Sequence, residues 1–331
     1  MGNNLFTFAT SELSQDAFFA WLLAWADKSY VGTSMNECAR MFFNNVLLQG
    51  SGRCLPSECS VEVKRQYKNI DIFCRVDDRL AIVIEDKIGI CEHSNQLQRY
   101  RQTILNDGYA PESIVCVYLK TRDQSDLSGV YKAGYAVVDR QRLLAFFRSA
   151  AIDGFVHGND ILCDFVETLE SIDKSVESYL TLPLDKWYWD SWVGFYVALQ
   201  KRFAGRWAYV ANPSGGFLGF WWFFHEVDGG EVYLQLEEGK ACFKATVFEL
   251  DDADKLKWRW HYAFIDAGKK LGVEVVPPVR MRRGGYMTVA VLNGDSRVNK
   301  DDGTLDFERT CERLLSMQKV LTCAIESQKD S

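Results

Sequence analysis

Asp71, Glu85, Lys87 and Gln96 are polar residues set into otherwise apolar, strand-like sequence. The stretch reads Asn69-Ile70-Asp71-Ile72-Phe73-Cys74, then Leu80-Ala81-Ile82-Val83-Ile84-Glu85-Asp86-Lys87-Ile88, then Gln96-Leu97-Gln98-Arg99-Tyr100. Side chains alternate between the two faces of a strand, so Glu85 and Lys87 share one face and Asp86 takes the other. An acid and a base therefore stand side by side at the end of a buried strand. Charge in such a place is costly unless it is paired or binds a metal. Two carboxylates offer hard oxygen donors to Mg²⁺, which keeps several waters and needs only one or two protein carboxylates. Lys87 could orient or deprotonate the attacking water and stabilise charge building on a phosphate. Phosphodiester hydrolysis needs such a set.

The elements that must position these groups follow from the same stretch. Asp71 opens a short apolar run, and the turn-like Asp77-Asp78-Arg79 leads into the next, so the two runs predict a β-hairpin with Asp71 beside Glu85. The plainer alternative is a surface hairpin whose Glu85 and Lys87 form an ion pair at the strand end. Against it, residues 81–84 are apolar on both faces, as in a strand covered on both sides. Gln96 and Tyr100 stand one helical turn apart on one face of a helix expected near 93–106. For Tyr100, a core-facing aromatic is an equally simple explanation. Ahead of the hairpin, residues 11–27 and 34–49 carry apolar positions at helical spacing, with Ser11 available as an N-cap and Gly50-Ser51-Gly52 as a stop. Strands are expected near 60–67, 70–76, 80–88, 114–119 and 135–138, and Asp139 could cap a helix through Phe147.

Asp71 followed by Glu85-x-Lys87 resembles the PD-(D/E)xK nuclease superfamily, which has the restriction-endonuclease-like fold. Gln96-x-x-x-Tyr100, after the Glu-x-Lys strand, is similar to the added motif of RecB-type and related nucleases. An acidic residue on the first helix often joins the site in this superfamily, and Glu12 sits where one would be expected. The run Phe19-Ala20-Trp21-Leu22-Leu23 and the Glu-Asp-Lys-Ile strand are most similar to a bacterial and phage branch. The resemblance covers about residues 1–150 and does not reach the C-terminal half. Ile70 stands where a Pro often precedes the Asp.

The resemblance implies an α/β fold, a mixed central sheet flanked by helices. It implies Mg²⁺, with Mn²⁺ as a substitute, held by Asp71 and Glu85 with the backbone carbonyl of Asp86 as a third donor. Lys87 would activate water and stabilise the transition state, and Gln96 would hold Lys87 or a phosphate, supported by Tyr100. Glu12 is a weaker candidate, because a carboxylate early in a helix is favoured by the helix dipole without any catalysis. His93 and the side chain of Asp86 are not expected to act. The substrate implied is DNA, RNA being the alternative, cut internally and in defence against foreign DNA. A homodimer rests on fold-level analogy alone, since restriction-type enzymes that cut both strands often pair.

The chain has 331 residues and a net charge of −7, which argues mildly against a large non-specific DNA-binding surface. Two basic runs, Lys64-Arg65-Gln66-Tyr67-Lys68 and Arg280-Met281-Arg282-Arg283, could gather positive charge locally or simply be solvated. The 10 cysteines are scattered, with no Cys-x-x-Cys pair, and the 4 histidines show no metal spacing. Reduced thiols in a cytoplasmic protein are therefore expected, with no zinc site. There is no apolar run long enough to span a membrane and no basic leader typical of a signal peptide.

Two domains are expected, a nuclease-like one over 1–178 and an α+β one over 179–331, with Leu182-Pro183-Leu184 near the boundary. A helix near 159–178 precedes it. Beyond it come helices near 187–203, 252–271 and 305–326, and strands near 207–211, 217–226, 231–237, 241–248 and 286–292, with a tight hairpin at Glu238-Gly239. Trp221-Trp222-Phe223-Phe224 could stack nucleobases, although a covered sheet core is simpler. Trp258, Arg259, Trp260 and His261 read as one face of an amphipathic helix. The leading function is a Mg²⁺-dependent nuclease. The alternatives are a non-catalytic nucleic-acid- or protein-binding module on the same fold, and an effector activated by a partner.

Overall fold

Ser11 starts the first helix, its hydroxyl accepting from the Ser14 N–H at 3.2 Å. Helix α1 (Glu12–Ala24) buries Phe18, Phe19, Leu22 and Leu23, and with them the polar Gln15 and Asp16. Thr33 caps α2 (Ser34–Phe42) in the same way. The expected single helix over 34–49 changes pitch: α2 passes into a π-helical turn, Phe43–Leu47, where the Leu48 N–H reaches back to the Phe43 carbonyl. Phe42, Phe43, Val46 and Leu47 are all sealed in the core there.

The computed structural model describes residues 3–89, 95–149, 151–212 and 215–329. The chain divides into two compact units, Met1–Lys174 and Ser175–Ser331.

In the first unit, strands β1 (Val61–Tyr67), β2 (Ile70–Val76) and β3 (Leu80–Lys87) form an antiparallel meander. The β1–β2 connection turns through two residues, Lys68-Asn69, and the β2–β3 connection through three, Asp77-Asp78-Arg79; Lys68, Asn69, Asp77 and Asp78 all take left-handed backbone. That geometry matches the twist of paired strands, and Asn and Asp tolerate it better than most residues. Helix α3 (Gln96–Asn106) then crosses over to β4 (Ile114–Lys120), which lies parallel to β3. A short helix α4 (Ser128–Lys132) leads to β5 (Ala136–Asp139), again parallel. The result is a mixed sheet in the order β1-β2-β3-β4-β5. Asp139 caps α5 (Arg140–Phe147), and α6 (Asp153–His157) and α7 (Asp160–Glu177) follow.

The sheet is covered on both faces. Ile72, Cys74, Ile82, Ile84, Val117 and Leu119 face the large core shared with Phe19, Phe42, Phe147 and Phe165. Phe73, Ala81, Val83, Cys116 and Tyr118 face Leu97, Tyr100 and Ile104 of α3. Every residue of β3 is buried, which is why its sequence is apolar without alternation. Each large apolar side chain so buried contributes roughly 1.5–3 kcal/mol.

In the second unit, α8 (Trp189–Arg202) is followed by β6 (Gly205–Val210), β7 (Phe217–Val227), β8 (Gly230–Glu237) and β9 (Lys240–Val247). Helix α9 (Ala253–Leu271), β10 (Val275–Val276), β11 (Tyr286–Leu292) and α10 (Phe307–Lys329) complete it. The strands form an antiparallel sheet in the order β10-β11-β9-β8-β7-β6, one face of which packs on the helices. Gly194 lets α8 approach its neighbour: a Cβ there would lie 1.9 Å from the Val176 carbonyl oxygen. Four consecutive helical residues cannot share a face, and Trp258 to His261 do not. Trp260 enters the core, His261 Nδ1 lies 2.7 Å from the Val289 carbonyl oxygen, and Trp258 is exposed.

Candidate active site

The register Ile72–Ile84 of the β2–β3 hairpin, extended one step, sets Asp71 opposite Glu85. Both side chains, with Lys87, lie on the face covered by α3. Lys87 Nζ is 2.7 Å from Glu85 Oε1, 3.6 Å from Asp71 Oδ2 and 3.7 Å from Glu12 Oε2. Three carboxylates from three elements thus converge on one ammonium group. The Asp86 N–H donates to Asp71 Oδ2 at 3.0 Å, and Gln66 Nε2 donates to Asp71 Oδ1 at 3.2 Å. Glu12 is tied to the site as well: its Oε1 accepts from the Ile88 N–H at 3.1 Å, across the strand end.

Glu85 is wholly buried, and its Oε2 has no hydrogen-bond partner. Burial, reinforced by the nearby Asp71 charge, raises the Glu85 pKa to about 8, although Lys87 pulls the other way. Burial also works against the charged form of Lys87. The hydrogen bond and charge of Glu85, with the charges of Asp71 and Glu12, outweigh it and raise the Lys87 pKa above its ordinary value. Lys87 is therefore held as an ammonium, better suited to donating hydrogen bonds and charge than to taking a proton.

Gln96 and Tyr100 meet as their spacing requires, with Gln96 Nε2 donating to the Tyr100 hydroxyl at 2.8 Å. Burial raises the Tyr100 pKa, and the Glu85 and Asp71 charges add to the rise, which sets Tyr100 within electrostatic reach of both carboxylates. Tyr100 is also part of the apolar layer under α3, so the functional and the packing explanation both hold. Tyr135 steadies this helix: its hydroxyl donates to the Leu97 carbonyl at 3.0 Å. His93 lies outside the described residues.

A second polar cluster lies behind β3 and was not anticipated. Asp86 points to the opposite face, as expected, but it is fully buried there and accepts from Gln15 Nε2 at 2.6 Å. Gln15 Oε1 in turn accepts from the Thr121 hydroxyl at 3.0 Å. Asp16 stands beside Asp86, and Gln66 Nε2 donates to Asp16 Oδ2 at 3.3 Å. Burial, with the charge of Asp71, raises the Asp16 pKa to about 6, and Asp86 is raised well above its ordinary range by burial and by Asp16. A signal for this cluster exists in sequence: a charged residue on the core face of a buried strand demands a partner, and Gln15-Asp16 is polar where α1 should be apolar. Arg140 is another buried charge, bonded to Asp123, Asp173 and the Thr121 carbonyl.

The basic run 64–68 is largely spoken for. Lys64 pairs with Glu62, Arg65 donates to the Leu13 carbonyl, and Lys68 pairs with Asp107. In the second run, Arg283 pairs with Asp251 and Asp254.

Residues 3–152 match the family model of the PD-(D/E)XK nuclease superfamily. Over that part the chain is similar to the superfamily. No curated protein and no solved structure matches the chain. The match ends within the first unit, and the five-stranded mixed sheet with its helices is consistent with the restriction-endonuclease-like fold.

PD-(D/E)XK nucleases typically use a divalent metal, and the residues here fit one in part. Asp71 and Glu85 supply only oxygen donors, Glu85 Oε2 is orphaned, and a positive charge, the Lys87 ammonium, already sits among the carboxylates. Among the described residues, no group of three or more His, Cys, Asp or Glu side chains is arranged to hold an ion. A cation at this place would rest on two carboxylates and main-chain oxygen. Among the described residues, no helix is long and apolar enough to cross a membrane.

Proposed function

We propose that this protein is a metal-dependent endonuclease that hydrolyses DNA phosphodiester bonds at the Glu12–Asp71–Glu85–Lys87 cluster. The observation that carries this reading is Glu85, a fully buried carboxylate opposite Asp71, with one oxygen unpartnered and its pKa raised to about 8. A structural ion pair would leave neither an orphaned oxygen nor a third carboxylate pressing on the pair.

Mg²⁺ or Mn²⁺ held by Asp71, Glu85 and the Asp86 main-chain carbonyl would supply Lewis-acid polarisation of the phosphate. The protein's own groups do the rest. The Asp86 N–H and Gln66 fix Asp71, so its carboxylate is set before substrate arrives. Lys87 donates its N–H bonds to a phosphate oxygen and offsets the charge that builds as water attacks. Glu12, held by the Ile88 N–H, faces Lys87 from the far side and orients its ammonium. Gln96, whose amide is paired with Tyr100, would hold a second phosphate oxygen.

The test is nicking of a supercoiled DNA circle by the full chain, with Mg²⁺ and with chelator, for wild type and Asp71→Ala. Nicking that needs Mg²⁺ and disappears in Asp71→Ala supports the reading. Nicking that persists in Asp71→Ala, or no nicking with Mg²⁺, contradicts it.

A further inference from the structure

The second unit buries one face of its sheet and leaves part of the other open. On the open face lies a cavity of about 450 Å³, in the size range of small-molecule sites, walled by Trp221, Phe224, Tyr233 and Tyr286 and floored by Gln235 and Lys244. The Trp221-Trp222-Phe223-Phe224 run divides between the faces: Trp222 is sealed in the core, whereas Phe224 is 47 % exposed.

A β-bulge makes that division. The β7–β8 register slips by one residue between Trp222 and His225, and Phe223 carries φ 58°, a left-handed backbone that a bulky residue adopts only under strain. Regular alternation would send Phe224 into the core. The bulge turns it out beside Trp221, stacked on Tyr233 with ring centroids 4.6 Å apart and planes 13° from parallel. Strain of this kind tends to mark a site where a side chain has been aimed.

The floor is polar and directional. Gln235 and Lys244 are each more than nine-tenths buried. Gln235 Nε2 donates to Glu237 Oε1 at 3.1 Å, and Lys244 Nζ donates to the Thr288 hydroxyl at 3.0 Å. Donors and acceptors are thus mixed at the bottom of an aromatic slot. The carboxylates of Glu231 and Glu237 offset the one ammonium, so the cavity does not select for a phosphate. A flat ligand with apolar faces and a hydrogen-bonding edge suits it. Arg206, the cross-strand partner of Trp221, sets a cation at the rim.

We propose that this cavity takes one unpaired nucleobase of a single-stranded nucleic acid, with the rings holding its faces and Gln235 its edge. The choice of a nucleobase over other flat ligands rests on the nuclease reading of the first unit. The binding itself does not require cleavage.

The experiment is fluorescence anisotropy of a short labelled oligothymidylate with the full-length Lys87→Ala chain, and with Tyr286→Ala or Gln235→Leu added. Tyr286 is 79 % exposed, so its removal leaves the fold intact, which a melting curve checks. The expected result is binding by Lys87→Ala that weakens about tenfold in each added variant, base stacking being of that order. An abasic strand of equal length is expected to bind as weakly as the variants do. Equal binding of the abasic strand, unchanged binding by both variants, or no binding at all overturns the proposal. Since no arm depends on cleavage, failure of the nuclease reading would appear separately, in the nicking assay.

Discussion

Glu85 and Lys87 share one face of β3, with Lys87 Nζ 2.7 Å from Glu85 Oε1, yet Glu85 is not a contented member of an ion pair. Burial and Asp71 outweigh the ammonium and hold its pKa near 8. A carboxyl whose folded pKa exceeds its unfolded value binds extra protons in the native state, so its ionisation costs stability. That cost is absent below the unfolded pKa and complete above about pH 8. Glu85→Gln should therefore abolish cleavage and raise the melting temperature of the metal-free protein. The gain expected at pH 8 or above is about 1–3 kcal/mol, shrinking as pH falls toward 6. Thermal melts at a series of pH values check this; a Glu85→Gln protein less stable than wild type at high pH would count against it.

Metal binding should be coupled to that same proton. At neutral pH the Glu85 carboxyl must lose a proton to become a ligand, so apparent Mg²⁺ affinity is expected to climb about tenfold per pH unit below 8, then level off. Titration calorimetry in buffers of different ionisation enthalpy reads the proton directly. Close to one proton released per ion at pH 7, falling toward none above pH 9, is the expected outcome. A pH-independent affinity would remove Glu85 from the ligand set.

Gln96 and Tyr100 can be told apart by kinetics. If the Gln96 amide reaches the reacting phosphate, Gln96→Ala should lower kcat about 10²-fold, as loss of an oriented donor does. Tyr100→Phe removes only the hydroxyl that holds Gln96, and is expected to cost less than about tenfold. Equal losses would instead mark both as packing residues under α3.

The half of the site carried by strands is legible in the sequence because a period of two leaves little freedom. Once residues 80–87 read as a covered strand, Glu85 and Lys87 had to share a face, and Asp77-Asp78 had to turn the hairpin that brings Asp71 across. Glu12 could be placed only by resemblance, since nothing local shows a helix N-terminus reaching the end of a strand many residues away. The polar layer behind β3 went unread for a different reason. Gln15, Asp16, Gln66, Asp86 and Thr121 come from α1 and three separate strands or their ends, and only the packed fold brings them within hydrogen-bonding reach of one another. In the second unit, the five longer strands are legible to within a residue or two, but the two-residue β10 and the Phe223 bulge are not. A run of four aromatics carries no alternation from which a slip could be seen.

Gln15 should matter as much to the fold as any apolar neighbour. Gln15→Leu strips Asp86 Oδ1 of its donor and leaves the Thr121 hydroxyl without its acceptor inside the protein. A loss of about 2–4 kcal/mol is expected, seen as a lower denaturant midpoint. The double variant Gln15→Leu with Asp86→Leu should recover much of that loss, because the buried carboxyl is then removed together with its donor. Equal stability of Gln15→Leu and wild type would show that the cluster is hydrated.

Lys87→Ala gives the most direct reading of the site, because it separates holding a metal from using one. Removing an ammonium from among three carboxylates should leave Mg²⁺ binding as tight as in wild type or tighter, while cleavage of DNA falls by about 10²–10³-fold. Calorimetry and a cleavage assay on the same preparation, over single- and double-stranded, circular and linear DNA, decide it. Retained metal binding with lost cleavage is the expected result. Cleavage at the wild-type rate by Lys87→Ala would contradict a catalytic Glu12–Asp71–Glu85–Lys87 cluster.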